Sequence, residues 1–448
     1  MNFRKYITIL KRKLFATWEY DERLQRMEHE LSTAGAQIQI LTELNRIHIR
    51  QLASISTRIG RPAGNRHCLF VVNNLNAWHA LDALVRTMSS DEDFDVTVVS
   101  VNKRFPGQDG FSGEKEVHKF LSMQGIRHIR LGMQDSYRAL EVIVALSPDV
   151  IFSQSQWDAD YPPGFSSENL GFTRLAIVPY GICNIVDNVL FNGDIKNSAV
   201  DSPFHRRCWR VYCASNQMLE IARRDSVIQG RQFRVVGHPK IDYLMNVSPQ
   251  WPFGKGRRNR RVLWSPHHSI THGWTDFGLF PSIWQNMLKV AEKLTSVDFI
   301  FCPHPSLMTQ LTGPHSPVSA GDWETFKKRW EERPGCYQYY GADYAAVVAA
   351  SDLIITDGIS MLMEGQLLKK PIIFTERDMH APFNSIGSGL LTGFHKINGA
   401  DGLEDTIVAI LSGTLSDLSD RQAENIDKLF PVRNAVMNII ADLKTLKE

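Results

Sequence analysis

Short apolar runs that end in small polar residues alternate with amphipathic stretches along most of this 448-residue chain. Such alternation of strand and helix predicts parallel, doubly wound sheets with helices on both faces. The segment PFGKGRRNRR (252–261), rich in glycine, proline and charge, separates two series of this kind. The chain is therefore predicted to be an α/β protein with two Rossmann-like domains, at 66–250 and 261–415, and a C-terminal helix (416–448) that crosses back to the first domain.

The first 58 residues differ from the rest because they contain no proline and a single glycine, Gly35. From 3 to 18, apolar residues recur at helical spacing, and Lys11, Arg12 and Lys13 lie on the other faces. A basic amphipathic helix of this kind is typical of segments that lie on an anionic membrane surface. The pattern fits equally a helix docked on the protein's own body, and both interpretations stay open.

A heptad repeat of apolar residues begins at Leu24 and continues to Ile55, interrupted by Asn45 and His48 at core positions. The repeat predicts a coiled coil or a helical hairpin. Polar core residues fix register and oligomeric state, so a homo-oligomer through these helices is one prediction, and an intramolecular helical pair is the alternative. The segment 1–58 is thus predicted to be an amphipathic helix followed by a coiled coil.

Charge and cysteine content exclude several functional classes. An apolar fraction of 43% fits a globular protein, and a net charge of +2 is too small for a surface built to bind nucleic acid. The six cysteines are scattered and lack zinc-site spacing, which favours reduced thiols in the cytoplasm. No apolar run is long enough to span a bilayer, and no signal-peptide pattern is present. We predict a cytoplasmic protein, peripheral to the inner face of the cell membrane.

One motif of the second predicted domain, DFIFCPHPSL (298–307), is an apolar strand followed by His304 between two prolines. Ligand phosphates bind beside the carboxyl ends of strands in α/β proteins. The imidazole of His304 is therefore expected to donate to a leaving-group phosphate, with Pro305 beside it. An isolated histidine of this kind would more often be structural, so this interpretation depends on a second motif.

That second motif, ASDLIITDGISMLMEG (350–365), is a strand that runs directly into a helix. Asp357 ends the strand, Gly358 allows close approach or unusual dihedral angles, and Ser360 stands where the helix begins. Free N–H groups and the serine hydroxyl are expected to bind phosphate oxygens, and Glu364, one turn later, to accept from ribose hydroxyls. The alternative is that Ser360 only caps the helix and that Glu364 is solvated.

Two loops offer candidates for catalysis. SPHHSITHGWTD (265–276) follows another strand, and we expect His267 to bind the donor and His268 to act in catalysis. The spacing of His268 and His272 also fits a metal pair, but the loop composition argues against it, and no metal is expected to be required. SQWDADYPPG (155–164) supplies Asp158 and Asp160, which are candidate bases for an acceptor hydroxyl.

Together these segments resemble the CDP-glycerol glycerophosphotransferase family of teichoic-acid and capsule polymerases. The resemblance covers 237–374 and is carried by CPHP, by SDLIITDGISMLMEG with KKPIIF, and by VGHPKIDYL and VLWSPHHS. It implies a GT-B fold, with two Rossmann-like domains across a central cleft, and a CDP-linked donor. It also implies that His304 and Ser360 contact the diphosphate and that Glu364 contacts the ribose.

The chain departs from that family at three positions. Cys302 stands where the family has a basic residue, and Ile359 replaces the first of two serines. Tyr180, in PYGICN (179–184), stands where the family has its catalytic histidine, and a tyrosine of ordinary pKa is a poor base at neutral pH. These departures leave the donor open. CMP-sugar transferases for sialic acid or Kdo, sugar-nucleotide epimerases and a non-catalytic coiled-coil scaffold are the alternatives.

The function predicted from sequence is therefore a GT-B transferase of cell-surface polysaccharide or teichoic-acid-like polymer synthesis. It would move glycerol phosphate or a sugar from a cytidine or other nucleotide donor to a hydroxyl of a glycan or lipid-linked acceptor. The first domain would bind the acceptor and the second the donor. His304 and the helix that begins near Ser360 would stabilise the departing phosphate, and no cofactor beyond the activated donor is expected.

Overall fold

The computed structural model describes residues 3–59, 64–104, 108, 110–187, 196–253, 259–273, 275–341 and 343–446. The chain divides into two compact units, Met1–Arg61 and Pro62–Glu448. The described part of the first unit is a helix, and the second unit contains two parallel sheets with the helices that cover them.

Helix α1 (Phe3–Ile59) runs without interruption for 57 residues. Since the segment has no proline and one glycine, nothing in it strongly opposes helix, and 1.5 Å per residue gives a length of about 85 Å. The helical-hairpin alternative is wrong, because α1 contains no turn. Among the described residues, no helix combines the length and the apolar character needed to cross a membrane.

The first sheet has seven parallel strands in the order β3-β2-β1-β4-β5-β6-β7. Its strands are β1 (Arg66–Val72), β2 (Phe94–Ser100), β3 (Ile129–Arg130), β4 (Val150–Ser153), β5 (Arg174–Ile177), β6 (Arg210–Cys213) and β7 (Phe233–Val235). Strand β1 is central, and Cys68, Phe70 and Val72 are fully buried on one face, as Leu69 and Val71 are on the other. Burial on both faces is the reason its sequence is continuously apolar from Cys68 to Val72.

The first sheet and the helices that connect its strands, 66–246, are the first half of the second unit. Its helices are α2 (Asp82–Ser89), α3 (Glu114–Met123), α4 (Ser136–Leu146), α5 (Ser167–Leu170), α6 (Pro203–Arg207), α7 (Asn216–Asp225) and α8 (Pro239–Asn246). Several begin at side-chain caps that the sequence supplies. Asp135 caps α4, Ser215 caps α7 and His238 caps α8, each accepting from a backbone N–H of the first turn. The caps fix where each loop ends, and so where the strand-end residues lie.

The second sheet has six parallel strands in the order β10-β9-β8-β11-β12-β13. Its strands are β8 (Arg260–Ser265), β9 (Val297–Phe301), β10 (Cys336–Gln338), β11 (Leu353–Thr356), β12 (Ile372–Glu376) and β13 (His395–Asn398). The helices of this second half are α9 (Phe280–Lys293), α10 (Pro305–Thr312), α11 (Ala320–Glu332), α12 (Tyr344–Ala349), α13 (Ile359–Leu367), α14 (Ser385–Ser388), α15 (Leu403–Leu411) and α16 (Ser419–Leu429). Both halves are doubly wound, as the alternation of strands and helices predicted.

An aromatic cluster forms the core on one face of the second sheet. Trp264 on β8 lies within 5.2 to 5.8 Å, between ring centroids, of Phe301, Phe280, Phe326 and Trp330. Offset and edge-to-face pairs of this kind stabilise beyond the area they bury. The cluster holds β8 and β9 against α9 and α11, so the ends of these two strands are rigidly placed.

The chain ends on the first half. The single C-terminal helix predicted for 416–448 is divided into α16 and α17 (Ala435–Lys444), because Pro431 lacks the N–H that a continuous helix needs. Helix α16 packs on α13, whereas α17 packs on α2 and α8. Asp442 of α17 accepts from Arg210 at 2.8 Å and from the Tyr212 hydroxyl at 3.0 Å. The last helix therefore completes one face of the first sheet.

Candidate functional site

The carboxyl ends of two neighbouring strands, β8 and β9, bring three histidines together. Strands β9, β8 and β11 are adjacent, and β9 leads to His304 while β8 leads to His267 and His268. The ring centroids of His268 and His304 lie 4.2 Å apart in a stacked arrangement, and those of His267 and His268 lie 4.3 Å apart. These three residues, predicted from separate motifs, thus form one cluster.

The geometry around His304 fixes which ring nitrogen carries the proton. His304 caps helix α10, and its Nδ1 accepts from the N–H of Ser306 at 3.2 Å. A neutral imidazole that accepts at Nδ1 carries its hydrogen on Nε2. Burial, together with the neighbouring His268 and the positive charges of Lys103 and Lys240, holds the pKa of His304 well below 6.5. His304 is therefore a neutral hydrogen-bond donor through Nε2 at physiological pH.

His267 is buried and its tautomer is fixed in the same way. Its Nδ1 lies 2.8 Å from the hydroxyl oxygen of Ser269 and accepts from the Ser269 N–H at 3.2 Å. Burial and the neighbouring His268 and His304 hold the pKa of His267 well below 6.5, and burial lowers the pKa of His268 to about 4. The cluster is thus uncharged near neutral pH.

Asp357 positions this cluster rather than contacting a donor, which corrects the sequence prediction. Its two oxygens accept from the N–H groups of His267 and of Leu279, both at 2.5 Å. Only 1% of the residue is exposed. Burial raises the pKa of this carboxyl to about 7, although the two N–H groups oppose the shift. Asp357 ties the end of β11 to the loop after β8 and to the start of α9.

Helix α13 begins at the same edge of the sheet with its N-terminus uncapped by any side chain. Gly358 is the N-cap residue and Ser360 is an exposed residue of the first turn, so the N-cap alternative for Ser360 is wrong. Gly358 has ordinary extended angles, φ −93° and ψ 126°, which corrects the expectation of unusual dihedral angles. The free N–H groups of a first turn and a serine hydroxyl form an anion-binding arrangement.

Glu364 is occupied by internal partners, which corrects both sequence interpretations of it. One oxygen accepts from Lys240 Nζ at 2.6 Å and the other from the Tyr344 hydroxyl at 2.5 Å. The residue is 2% exposed, so it is neither solvated nor facing a ribose. Because Lys240 lies on α8 of the first half, this buried ion pair joins the two halves.

The first half contributes a second charged pair near the histidines. Lys103, which follows strand β2, lies 3.9 Å from a carboxylate oxygen of Asp160. That oxygen also accepts from the Ser155 hydroxyl at 2.8 Å, and burial raises the pKa of Asp160. Since the charge of Lys103 acts on Asp160 and on His304, the two halves face each other at this point.

The other predicted residues lie in different surroundings. Asp158 accepts from the N–H and the hydroxyl of Ser167 at 2.7 and 2.6 Å, at the start of the short helix α5, and its role as a base stays a prediction. Pro305 is exposed in the first turn of α10. His272 lies outside the cluster, near Arg377. Among the described residues, no group of three or more His, Cys, Asp or Glu side chains is arranged to hold a metal ion.

Two basic residues of this site were missed from sequence. Lys103 stands three residues after a strand of the first half, in VSVNK, which is the position where α/β proteins place ligand contacts. Lys240 stands in the VGHPKIDYL segment that carries part of the family resemblance. Their positions next to strand ends were the available signal for both.

Comparison with solved structures identifies proteins of similar fold. The chain resembles a putative UDP-N-acetylglucosamine 2-epimerase of Listeria monocytogenes with a TM-score of 0.59 at 14% identity, covering 85% of this chain and 96% of that one. The UDP-GlcNAc 2-epimerase of Neisseria meningitidis, solved with UDP-GlcNAc bound, gives 0.59 at 11% identity, with 85% and 100% covered. S. aureus MnaA with UDP gives 0.56 at 12% identity, with 85% and 96% covered.

At these identities the likeness concerns the fold. It confirms the α/β architecture of two Rossmann-like sheets that GT-B proteins share. No protein-family model matches the chain, and no curated protein is significantly similar to it in sequence. The resemblance to the CDP-glycerol family therefore rests on the motifs alone.

Proposed function

We propose that this protein is a transferase that binds a nucleotide-activated donor at the carboxyl ends of β9, β8 and β11. It would transfer glycerol phosphate or a sugar to a hydroxyl of a glycan or lipid-linked acceptor. The observation that carries this proposal is the pairing of the Nε2–H donor of His304 with the uncapped start of α13 at one edge of the sheet.

Both elements suit a diphosphate. A neutral imidazole and backbone N–H groups keep their hydrogens at neutral pH, so both can donate hydrogen bonds to phosphate oxygens. A helix N-terminus also favours negative charge. Charge builds up on the leaving phosphate in the transition state, so fixed donors aimed there accelerate the reaction. Lys103, from the first half, adds positive potential at this site, as its effect on the pKa of His304 indicates.

Asp160 is the proposed base. In the reaction the acceptor oxygen would attack the β-phosphorus of a CDP-alcohol, breaking the bond to the bridging oxygen and releasing CMP. With a nucleotide sugar it would attack the anomeric carbon and release the nucleotide. The acceptor proton would pass to Asp160, whose pKa burial raises towards the range of an effective base. Tyr180 is a weaker candidate, because the pKa of a tyrosine hydroxyl is near 10 even without any shift, too high for a base at neutral pH.

The donor is proposed to be a cytidine or other nucleotide whose phosphate or diphosphate is linked to the group that is transferred. The motif resemblance favours cytidine, whereas Cys302 and Ile359 argue against an unmodified CDP-glycerol site. The Neisseria meningitidis protein of similar fold binds UDP-GlcNAc, which supports a nucleotide sugar as the wider class. A panel of CDP-glycerol, CMP-sugars, UDP-sugars and CMP in a thermal-shift assay would identify the donor.

Three variants test the site itself. His304→Ala removes the Nε2 donor, and we expect it to lower kcat by about 10²–10³. His304→Gln restores an amide N–H near the Nε2 position and should recover part of that loss. His315→Ala, at an exposed histidine of the same half, is the matched control and should behave as wild type. Full activity in His304→Ala, or no stabilisation of the wild type by any nucleotide, would overturn the proposal.

A sugar-nucleotide 2-epimerase is the second candidate, because the Neisseria meningitidis protein of similar fold is a UDP-GlcNAc 2-epimerase and the Listeria monocytogenes protein is a putative one. The two functions differ in their need for an acceptor. An epimerase converts the nucleotide sugar by itself, whereas a transferase releases free nucleotide only when an acceptor hydroxyl is present. Incubating the protein with UDP-GlcNAc alone and analysing the sugar nucleotide by NMR would therefore distinguish them.

We also propose that the protein acts at the cytoplasmic face of a membrane through the start of α1. Lys11 and Arg12 lie beside Phe15 and Trp18, whose exposed fractions are 64% and 57%. Basic and aromatic side chains together bind anionic lipid surfaces. Deletion of residues 3–18 should abolish sedimentation with phosphatidylglycerol vesicles, and unchanged sedimentation would refute this attachment.

A further inference from the structure

Helix α1 exposes a seam of apolar residues that is interrupted by Asn45 and His48. From Leu24 onward the heptad core positions, a and d, carry Leu24, Met27, Leu31, Ala34, Ile38, Leu41, Asn45, His48 and Leu52, all exposed to solvent. Leu31 is 69% exposed, and Ile38 and Leu41 are each 64% exposed. Large aliphatic side chains in such a row are stabilised by a partner that covers them.

The period of the seam specifies what kind of partner covers it. Apart from Asn45 and His48, apolar residues occupy two positions of every seven, an average spacing of 3.5 residues, whereas a straight α-helix has 3.6 residues per turn. Over several heptads this mismatch turns the seam around a straight helix by about 20° per heptad, and only supercoiling with another helix keeps it covered. The partner of the seam is therefore another long helix with the same repeat.

Charge and polarity along the seam favour a second copy in parallel register. Arg23 occupies a g position and Glu28 the following e position, and these two sites face each other between the chains of a parallel pair. Asn45 lies at an a position, where a parallel, in-register pair sets the two asparagines side by side. An antiparallel pair would set each asparagine against an apolar residue near Ala34, leaving its amide without a partner.

We infer that α1 pairs with α1 of a second copy of this chain as a parallel, two-stranded coiled coil over 24–55. The seam does not continue towards the N-terminus, because Lys13 and Thr17 occupy its core positions there. Residues 3–18 of the two chains then emerge from the same end of the coiled coil. If the membrane attachment proposed above holds, the pair binds a membrane through two adjacent basic segments, which raises its avidity.

The oligomeric state of the full-length protein tests the pairing. Light scattering during gel filtration should give twice the 50.9 kDa of one chain. The double variant Leu31→Asp/Ile38→Asp should give the monomer mass with unchanged thermal unfolding of Pro62–Glu448. Its matched control, Ser32→Asp/Gln39→Asp, adds the same charge at neighbouring positions outside the seam and should remain dimeric.

Cross-linking tests the orientation. The native cysteines are buried or half-buried, so wild type supplies a low background under mild oxidation. Asn45→Cys should form a disulfide-linked dimer, because parallel pairing in register brings the two residues together. A monomeric wild type, a trimer mass, equal masses for the seam variant and its control, or a dimer without cross-link would each overturn the inference.

Discussion

Two buried histidines of the first half should make the protein sensitive to mild acid. His205 and His238 are each 1% exposed, and burial lowers the pKa of each from 6.5 to about 4. His238 donates from Nε2 to the carbonyl of Pro179 at 2.8 Å and accepts at Nδ1 from the N–H of Lys240 at 3.1 Å. Protonation of His238 at Nδ1 would turn this acceptor into a donor, which would then face the N–H of Lys240.

The size of the effect follows from the two pKa values. In the unfolded chain these imidazoles titrate near 6.5, so between 6.5 and about 4 the unfolded state binds more protons than the folded state. Stability is therefore lost as the pH falls through this window. At about pH 5 the loss is about 2 kcal/mol for each histidine, or about 4 kcal/mol for the pair.

Urea unfolding at about pH 7.5 and pH 5 measures this loss. We expect the midpoint of wild type to fall by roughly 1 M at the lower pH, given the steep urea dependence of a unit this large. His205→Gln/His238→Gln should lower the midpoint at pH 7.5 and make the further fall smaller by the share of these two histidines, while His267, His268 and His304, whose pKa values burial also lowers, keep contributing to it. The control is His315→Gln, at an exposed position, which should keep the wild-type fall. Equal falls in wild type and in the double variant would refute the reasoning.

Three further outcomes are expected. Lys240→Met leaves Glu364 buried without its cation and should cost about 3–5 kcal/mol of stability, whereas Lys240→Met/Glu364→Gln should recover most of it; equal urea midpoints for the two would contradict this. Asp160→Asn should lower kcat by about 10²–10⁴ with nucleotide binding unchanged, and wild-type turnover would remove Asp160 as the base. Gly387→Ala should lower the thermal midpoint, because a Cβ there would lie 2.1 Å from the carbonyl oxygen of Ile185; an unchanged midpoint would show that this contact adapts.

The positions of His304 and His268 at strand ends could be predicted from the sequence, whereas Lys103 and Lys240 were missed. His304 and His268 lie in motifs more than thirty residues apart, yet parallel strands present their carboxyl ends at one edge, so each could be assigned there separately. The alternation of apolar strands and amphipathic helices likewise predicted the two sheets. These inferences depend on the periodicity of apolar residues in strands and helices, which can be read from short segments of sequence.

Hydrogen-bond partners could not be predicted in the same way. Asp357 and Glu364 stand where the motifs suggest ligand contacts, but their partners, Leu279 and Lys240, lie 78 and 124 residues away. Which buried donor reaches a carboxylate depends on loop paths and on how the two halves pack, and no periodicity encodes either. A buried carboxylate without hydrogen-bond or ion-pair partners raises the free energy of the folded state. Both carboxylates therefore bind groups of the protein itself.

The return of the chain to the first half affects how the protein would respond to a protease. Two segments pass between the halves, one before β8 and one between α16 and α17. After a single cut between Phe253 and Asn259, α17 therefore belongs to the C-terminal fragment but packs on the N-terminal one. Its residues Ile439, Ile440 and Leu443 are buried in that contact. The nicked fragments should co-purify, and a separately expressed N-terminal fragment should need the C-terminal one to fold.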